Sequence, residues 1–214
     1  MKYKTYLIAA GLLTLLFVFL YGVYLLTNTA PNYKEIMTIT SDDHVKWSSE
    51  RKHVLIEYSD LQCPACKLYH EMLSSFEASG SPQAAIPKKV TLVYRHFPLY
   101  QIHENALQMA YGAEGSSKQG KFFEFVTALF ADQDNLSKTK DPKTYLVDKA
   151  KAAGLNIEQF KKDMDSQYVK DKITSDLSGG ERAGINGTPT FFLDGQKLEF
   201  KSPQEFVKIL QNIQ

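Results

Sequence analysis

The sequence predicts an α/β fold in which a block of helices separates two halves of a β-sheet, preceded by an N-terminal transmembrane helix. The prediction rests on β-rich runs on both sides of residues 102–183, on a helical pattern within that block, and on an uncharged run from Tyr6 to Leu26. Of the 214 residues, 43% are hydrophobic and 23% charged, which excludes a disordered chain. The formal net charge of +1 provides no basic surface for nucleic acid.

The first element is the uncharged run of 21 residues from Tyr6 to Leu26. At about 1.5 Å per residue, a helix of this length measures roughly 31 Å and can cross the hydrocarbon core of a bilayer. Lys2 and Lys4 precede it and no acidic residue occurs before Glu35, so the tail should stay in the cytoplasm and the remainder should be exported. A cleaved signal peptide and a buried soluble helix are the alternatives, but a signal peptide has a shorter apolar region and a small-residue cleavage site.

These features divide the chain into three parts. We expect a cytoplasmic tail with an uncleaved signal-anchor in residues 1–30, a linker in residues 31–42, and an exported domain in residues 43–214. The helical insertion within that domain should cover approximately residues 102–183.

The first half of the domain contains two strands and a helix. His53 to Tyr58 is mostly apolar and predicts a buried strand, with Asp43 to Trp47 as an earlier edge strand. A helix should begin at Pro64, because proline is best tolerated at the first helical position, and should continue past Phe76 to a Gly-Ser-Pro sequence. Val90 to Phe97 predicts the next strand.

The second half follows the helical block, in which almost no period-two alternation occurs. The helices expected there are Ile102 to Glu114, Gly120 to Phe130, Pro142 to Ala153, Ile157 to Met164 and Tyr168 to Ala183. Thr190 to Leu193 and Lys197 to Phe200 then predict a hairpin that turns at Asp194-Gly195, and a last helix should open at Ser202-Pro203.

The two cysteines of the chain form the sequence Cys63-Pro64-Ala65-Cys66. A disulfide across four residues closes too small a ring to contribute much as a structural crosslink. At the start of a helix, backbone N–H groups and the helix dipole stabilise a thiolate, which favours a bridge that can be reduced and re-formed. We therefore expect a redox-active disulfide without another cofactor, with Cys63 at the exposed end as nucleophile and Cys66 as resolving thiol.

Metal binding is the main alternative for this pair. His70 lies four residues after Cys66 on the same helix face, which would give three ligands. A structural zinc site usually has four ligands, often with a second Cys or His pair, so we expect no metal. Two inert thiols are the remaining alternative.

Glu57 lies within the first buried strand, six residues before Cys63 and on the same side as Leu55 and Ser59. A buried carboxyl group has a raised pKa, which suits a group that exchanges a proton with Cys66. The alternative is a carboxylate that reaches solvent at the edge of a strand. We favour the proton-exchange role, because buried carboxylates rarely occur without a partner or a task.

A proline before a strand, as in Gly187-Thr188-Pro189-Thr190, is a weak signal alone because it can simply end a helix. Together with the Cys-x-x-Cys sequence at a strand-to-helix junction, however, the chain resembles the DsbA-like thiol-disulfide oxidoreductase family over roughly Asp43 to Ile213. The segments that carry the resemblance, in order, are Asp43-His44-Val45, Glu57-Tyr58-Ser59-Asp60, Cys63-Pro64-Ala65-Cys66, Tyr94-Arg95-His96-Phe97-Pro98-Leu99 and Gly187-Thr188-Pro189-Thr190-Phe191-Phe192.

The resemblance implies a thioredoxin fold with an inserted helical domain. It also implies that Cys63 forms a mixed disulfide with the substrate, that Cys66 resolves it, and that Thr188 and a cis Pro189 hold the extended substrate chain beside the sulfurs. Ala65 is a departure, because the best-known members carry histidine there, where it stabilises the thiolate. Lower thiolate stability makes a disulfide less oxidising.

Three functions are consistent with these residues. The leading hypothesis is that the oxidised pair donates its disulfide to unfolded or folding exported proteins and is reoxidised by a quinone-linked membrane thiol oxidase, DsbB-like or VKOR-like. The second is an extracytoplasmic reductase or isomerase that a membrane electron donor keeps reduced. The third is a tethered chaperone or metal-handling module.

The expected setting follows from the same features. We expect a single-pass protein of the bacterial cell membrane with its catalytic domain on the extracytoplasmic face, periplasmic or outer. Isomerases in related families commonly dimerise through an extra N-terminal domain, for which Thr27 to Asp42 leaves no room, and this counts against the isomerase function. We expect a monomer.

Overall fold

The structure, a computed structural model, describes residues 2–27, 33 and 36–213. Two compact units are present, Met1–Asn32 and Tyr33–Gln214. The first contains the helix α1 (Lys2–Thr27), whose apolar side chains are largely exposed where they are described. Over the described residues, no helical stretch is both long and apolar enough to cross a membrane. Helix α1 includes the helix expected at Tyr6 to Leu26. Its transmembrane character is not confirmed.

The second unit is built on one five-stranded sheet. Its strands are β1 (His44–Trp47), β2 (His53–Ser59), β3 (Val90–His96), β4 (Thr190–Leu193) and β5 (Gln196–Lys197). In space they lie in the order β1-β3-β2-β4-β5, with β2 and β3 parallel and the other neighbouring pairs antiparallel. The strand predictions are confirmed in number and order, although β5 starts one residue early and is shorter than the predicted Lys197 to Phe200.

Helices connect and cover the sheet. Between β2 and β3 lie α2 (Pro64–Ser75) and the short α3 (Ile86–Lys89), and α10 (Pro203–Gln211) ends the fold. The insertion between β3 and β4 contains α4 (Ala106–Ser117), α5 (Phe122–Ala131), α6 (Gln133–Lys138), α7 (Pro142–Ala152), α8 (Ile157–Met164) and α9 (Gln167–Arg182). The predicted helical insertion is thus confirmed, whereas α3 and α6 were not predicted.

Local chemistry explains several of these boundaries. The side chains of Asn156, Ser166 and Ser202 accept hydrogen bonds from backbone N–H groups and begin α8, α9 and α10. Asp194 and Gly195 take positive φ angles of 50° and 83° between β4 and β5, as a tight hairpin turn requires.

Each face of the sheet has its own apolar cluster. On one face, side chains of β2, β3 and β4 pack with α2 and α10, and this cluster includes Leu55, Leu92, Phe191 and Phe206. The other face packs against Phe97, Ile185 and the segment before β1, in which Tyr33 lies edge-on to Phe192 with ring centroids 4.8 Å apart. Tyr33 and Ile36 fall within the predicted linker, so packing on the sheet starts before residue 43.

A third cluster forms the core of the insertion and includes both cysteines. Phe125, Phe130 and Leu136 are fully buried in it, and Tyr94 joins it from β3. The cysteines therefore lie where the sheet, α2 and the insertion meet.

Candidate active site

Both cysteines lie at the N-terminal end of α2. Cys63 is the residue before the helix and has an extended backbone, and Pro64 is the first helical residue. The two are free thiols, with Cys63 7% exposed and Cys66 fully buried. Pro64 and Ala65 between them are exposed. An attacking molecule can therefore reach Cys63 before Cys66, as the predicted roles require.

The loop before β4 faces Cys63. The Thr188-Pro189 peptide bond is cis, and both residues are half-buried. As a thiol, Cys63 donates a hydrogen bond through Sγ to the Thr188 carbonyl oxygen at 3.2 Å. The fold thus brings the two predicted substrate-binding residues next to a sulfur that lies 125 positions away in the sequence.

The two thiols have pKa values that their surroundings shift in opposite directions. The Cys66 thiol, and after it the backbone N–H groups of Cys66 and Ala65, lower the pKa of Cys63 by hydrogen bonding, against the opposing effect of partial burial. Burial raises the pKa of Cys66 well above its ordinary value, and the neighbouring Cys63 sulfur raises it further. The pair therefore favours a thiolate at Cys63 and a neutral thiol at Cys66.

Glu57 lies on β2, in the interior of the sheet between β3 and β4, and is 2% exposed. It does not reach solvent at a strand edge, so that alternative is wrong. Burial raises the pKa of Glu57 to about 7. Tyr94 pairs with Glu57 across β2 and β3. Burial first, and then the charges of Glu57 and Cys66, raise the pKa of Tyr94 well above its ordinary value.

A buried carboxylate holds the loop between β2 and α2. Asp60 accepts hydrogen bonds from the backbone N–H groups of Gln62 at 2.7 Å and Leu99 at 2.8 Å, and lies 2.7 Å from His103 Nδ1. Its own backbone N–H donates to Cys66 Sγ at 3.4 Å. Asp60 therefore fixes the loop that presents the cysteines.

Gln133 attaches the insertion to the same loop. From the first position of α6, its side-chain amide donates to the carbonyl oxygens of Leu61 at 2.9 Å and Cys63 at 3.0 Å. Sequence reasoning assigned no role to Gln133, Asp60 or Tyr94. Asp60 and Tyr94 lie within the segments that carry the resemblance, which was an available signal, whereas Gln133 lies in an unpredicted helix.

His70 does not join the cysteines. Its Nε2 lies 2.9 Å from the hydroxyl oxygen of Thr127, and its ring centroid lies 4.8 Å from that of Phe130. Burial lowers the pKa of His70 to about 4. Within the part of the chain that the structure describes, His70 and the cysteines do not form a metal-ligand cluster.

Comparison with known proteins identifies the family. The sequence profile described as thioredoxin matches residues 40–212. The chain belongs to the thioredoxin family. Among curated proteins, this thioredoxin-family chain is similar to the Na(+)/H(+) antiporter NhaA 1 of Mycobacterium sp. (strain KMS), with 32% identity over 174 residues that cover 80% of this chain and 26% of the antiporter. The chain thus spans about a quarter of the length of the curated relatives it matches.

Solved structures show which form of the fold this thioredoxin-family chain adopts. A thioredoxin-like oxidoreductase from Silicibacter pomeroyi DSS-3 superimposes with a TM-score of 0.66 at 24% identity, covering 81% of this chain and 92% of that one. For alpha-DsbA1 of Wolbachia pipientis, the TM-score is 0.68 at 23% identity, with coverages of 83% and 93%. The predicted DsbA-like thioredoxin fold with a helical insertion is therefore confirmed.

Proposed function

We propose that this chain is a thiol-disulfide oxidoreductase that donates the disulfide of Cys63 and Cys66 to other proteins. The observation that carries the proposal is the position of Cys63 Sγ, 3.2 Å from the Thr188 carbonyl oxygen, with Cys66 fully buried behind it. A single sulfur is thereby accessible beside a half-buried loop. This arrangement suits a site that holds an extended client chain next to the reacting bond.

In the first step, a client thiolate attacks Cys63 Sγ of the oxidised pair. A client–Cys63 disulfide forms, the Cys63–Cys66 bond breaks, and Cys66 leaves with the electron pair. Because burial raises its pKa, Cys66 then takes up a proton. Glu57, whose pKa is about 7, is protonated in a large fraction of molecules at neutral pH and donates it.

In the second step, another client thiol loses its proton to solvent and attacks the client sulfur of the mixed disulfide. Cys63 leaves as a thiolate, which its hydrogen bonds at the start of α2 stabilise. The client has then lost two electrons and gained a disulfide, and the cysteine pair is a dithiol.

The proposed setting is the extracytoplasmic face of a bacterial membrane, with α1 as an anchor. The support is the uncharged run from Tyr6 to Leu26 behind Lys2 and Lys4, together with the need of such a pair for an oxidising compartment. We infer that the clients are unfolded or folding exported proteins and that a quinone-linked membrane thiol oxidase, DsbB-like or VKOR-like, restores the disulfide. We propose a monomer.

Trapping of the mixed disulfide tests this function. The Cys66→Ala variant should accumulate clients bound to Cys63 through bonds that a reductant cleaves, because the Cys63 thiolate still exchanges with client disulfides while the Cys66 thiol that would displace the client from Cys63 is gone. The matched Cys63→Ser variant should accumulate none. Equal adduct levels in the two variants would contradict the proposal.

The equilibrium potential of the pair in glutathione buffers tests the direction of transfer. A value of about −120 mV supports an oxidase, whereas one of about −270 mV supports a reductase. Stoichiometric zinc binding by the cysteines without a reversible redox couple would contradict both.

A further inference from the structure

Three side chains outside the cysteine site converge at the junction of the sheet and the insertion. They are His44 on β1, His96 at the end of β3, and Glu114 on α4. Oε1 of Glu114 lies 2.7 Å from Nε2 of His44 and 3.2 Å from Nε2 of His96. One nitrogen or oxygen atom from each side chain lies within 4.8 Å of the other two.

The cluster is enclosed by apolar groups and is accessible from one side. The side chains of His96 and Glu114 are 1% exposed, whereas that of His44 is 14% exposed. Phe122 stacks on His44 with ring centroids 3.4 Å apart and lies edge-on to His96 at 5.7 Å. An ion could therefore approach from the side of His44 and would then be shielded by Phe122.

The hydrogen bonding of this cluster is incomplete. Nε2 of His96 has no hydrogen bond of acceptable geometry within the described part of the chain, although Glu114 is near. A buried ring nitrogen is rarely left without a partner. It lies at charge-contact distance from Glu114 without forming a hydrogen bond, so this nitrogen is available to another ligand.

We propose that His44, His96 and Glu114 bind a divalent transition-metal ion of the zinc type. Two imidazole nitrogens and one carboxylate oxygen are a common donor set for such ions, whereas Ca²⁺ and Mg²⁺ prefer oxygen ligands. An ion with bonds of about 2.0–2.2 Å holds its ligand atoms roughly 3–4 Å apart. Small rotations of the three side chains would therefore accommodate it.

Such an ion would connect two parts of the fold. His44 and His96 belong to the sheet, and Glu114 belongs to the insertion that carries Gln133 to the cysteine loop. A ligand that binds only the folded state stabilises it in proportion to the logarithm of the ligand concentration above Kd. The metal should therefore raise the unfolding temperature by holding the insertion on the sheet.

The test uses the full chain with Cys63→Ser and Cys66→Ser, so that the thiols cannot bind the probe metal. After treatment with a chelator, titration with Zn²⁺ should show one bound equivalent per chain and an increase in unfolding temperature. Adding Glu114→Gln or His96→Asn should weaken Zn²⁺ binding by more than about 100-fold, since loss of an outer hydrogen-bonding partner alone costs roughly 10–100-fold.

Two further variants complete the test. His53→Asn is the matched control, because His53 also lies 2.8 Å from a carboxylate, that of Asp194, and its loss should leave Zn²⁺ binding unchanged. His44→Ala should weaken Zn²⁺ binding to the same extent, and because His44 is partly exposed this variant can be measured even if the buried variants do not fold. The proposal is overturned if the cysteine-free chain binds no Zn²⁺. It is also overturned if Zn²⁺ binding is unchanged in the His44→Ala variant and in whichever of the Glu114→Gln and His96→Asn variants fold.

Discussion

At Glu57 the fold keeps an ionisable side chain in the interior of the sheet. It is 2% exposed and pairs with Tyr94 on one side and Phe191 on the other. Burial raises the pKa of Glu57 from its ordinary value of 4.5 to about 7, and the side chain of Ser59 and then the charge of Lys46 oppose this only in part. Folding therefore favours the protonated form. The resulting stability is fully present below about pH 4.5 and is lost as the pH rises through about 7.

The Glu57→Gln variant should lack this pH dependence. The difference between the two pKa values corresponds to about 3 kcal/mol, so the free energy of unfolding of the wild type should fall by roughly that amount, relative to the variant, between pH 4.5 and pH 8. Urea denaturation at a series of pH values measures it. Glu71→Gln, at a side chain that is 58% exposed, is the control and should keep the wild-type dependence. Parallel curves for wild type and Glu57→Gln would contradict the prediction.

The residues of the site differ in how far the sequence predicts them. Cys63 and Cys66 are identified by their spacing, and Glu57 by a charge within an apolar run. The position of Thr188 and Pro189 beside Cys63 was implied by the family resemblance and agrees with the structure. The contacts of Asp60 and Gln133 could not be predicted, because they join backbone groups that only the tertiary fold brings near these side chains.

At the scale of elements, α9 shows how closely the insertion packs on the sheet. A Cβ atom at Gly180 would lie 2.6 Å from the ring of Phe97 and 3.2 Å from that of Tyr58. At the neighbouring Gly179, the nearest contact would be an ordinary 3.5 Å to the hydroxyl of Tyr58. Close packing therefore requires glycine at position 180, but not at position 179.

Alanine at these two positions should have opposite effects. Gly180→Ala should lower the free energy of unfolding by about 1–3 kcal/mol, because the added methyl group overlaps the ring of Phe97 and crowds that of Tyr58. Gly179→Ala should raise it by up to about 1 kcal/mol through higher helix propensity. Urea denaturation of both variants beside the wild type measures the difference. Equal stability of the two variants would show that the close approach at Gly180 is not required.

The elements that the sequence predicts well are those with local start and stop signals. Helix α8 was predicted at its observed bounds, and in the structure the side chain of Asn156 caps its first turn. Helices α3 and α6, of 4 and 6 residues, are too short to be stable from local propensity. Helix α6 is held instead by tertiary contacts, through the fully buried Leu136 and the side chain of Gln133.

At the scale of the whole molecule, the redox state of the cysteines is coupled to folding. Hydrogen bonds from the Cys66 thiol, and from the backbone N–H groups of Cys66 and Ala65, lower the pKa of Cys63 only when the chain is folded. These groups stabilise the thiolate although Ala65, and not a histidine, precedes Cys66. A fold that stabilises the reduced form makes the disulfide more oxidising.

The stability of the reduced protein should therefore increase, relative to that of the oxidised protein, as the pH is raised from 4 to 8. The pKa of Cys63 is lowered in the folded state, so ionisation of Cys63 stabilises the folded reduced protein. This stabilisation is fully present near and above the ordinary thiol pKa of about 8.5, and it is lost as the pH falls through the folded-state pKa of Cys63. In the oxidised protein, the disulfide stabilises the folded state by only about 2 kcal/mol, because the ring that it closes is small. This stabilisation does not change with pH. Glu57 titrates in both forms, so the comparison largely cancels its effect.

Thermal unfolding of the full chain measures this difference, with excess reductant for one form and after oxidation for the other. The Cys63→Ser/Cys66→Ser variant is the control and should unfold at the same temperature with and without reductant at every pH. Burial raises the pKa of Cys66 in the folded chain, so ionisation of Cys66 in the unfolded chain acts in the opposite sense. The series ends at pH 8, where a thiol with a pKa of about 8.5 is still mostly protonated. A difference between reduced and oxidised protein that does not change with pH would mean that the fold does not stabilise the Cys63 thiolate, and the proposed direction of transfer would lose its thermodynamic basis.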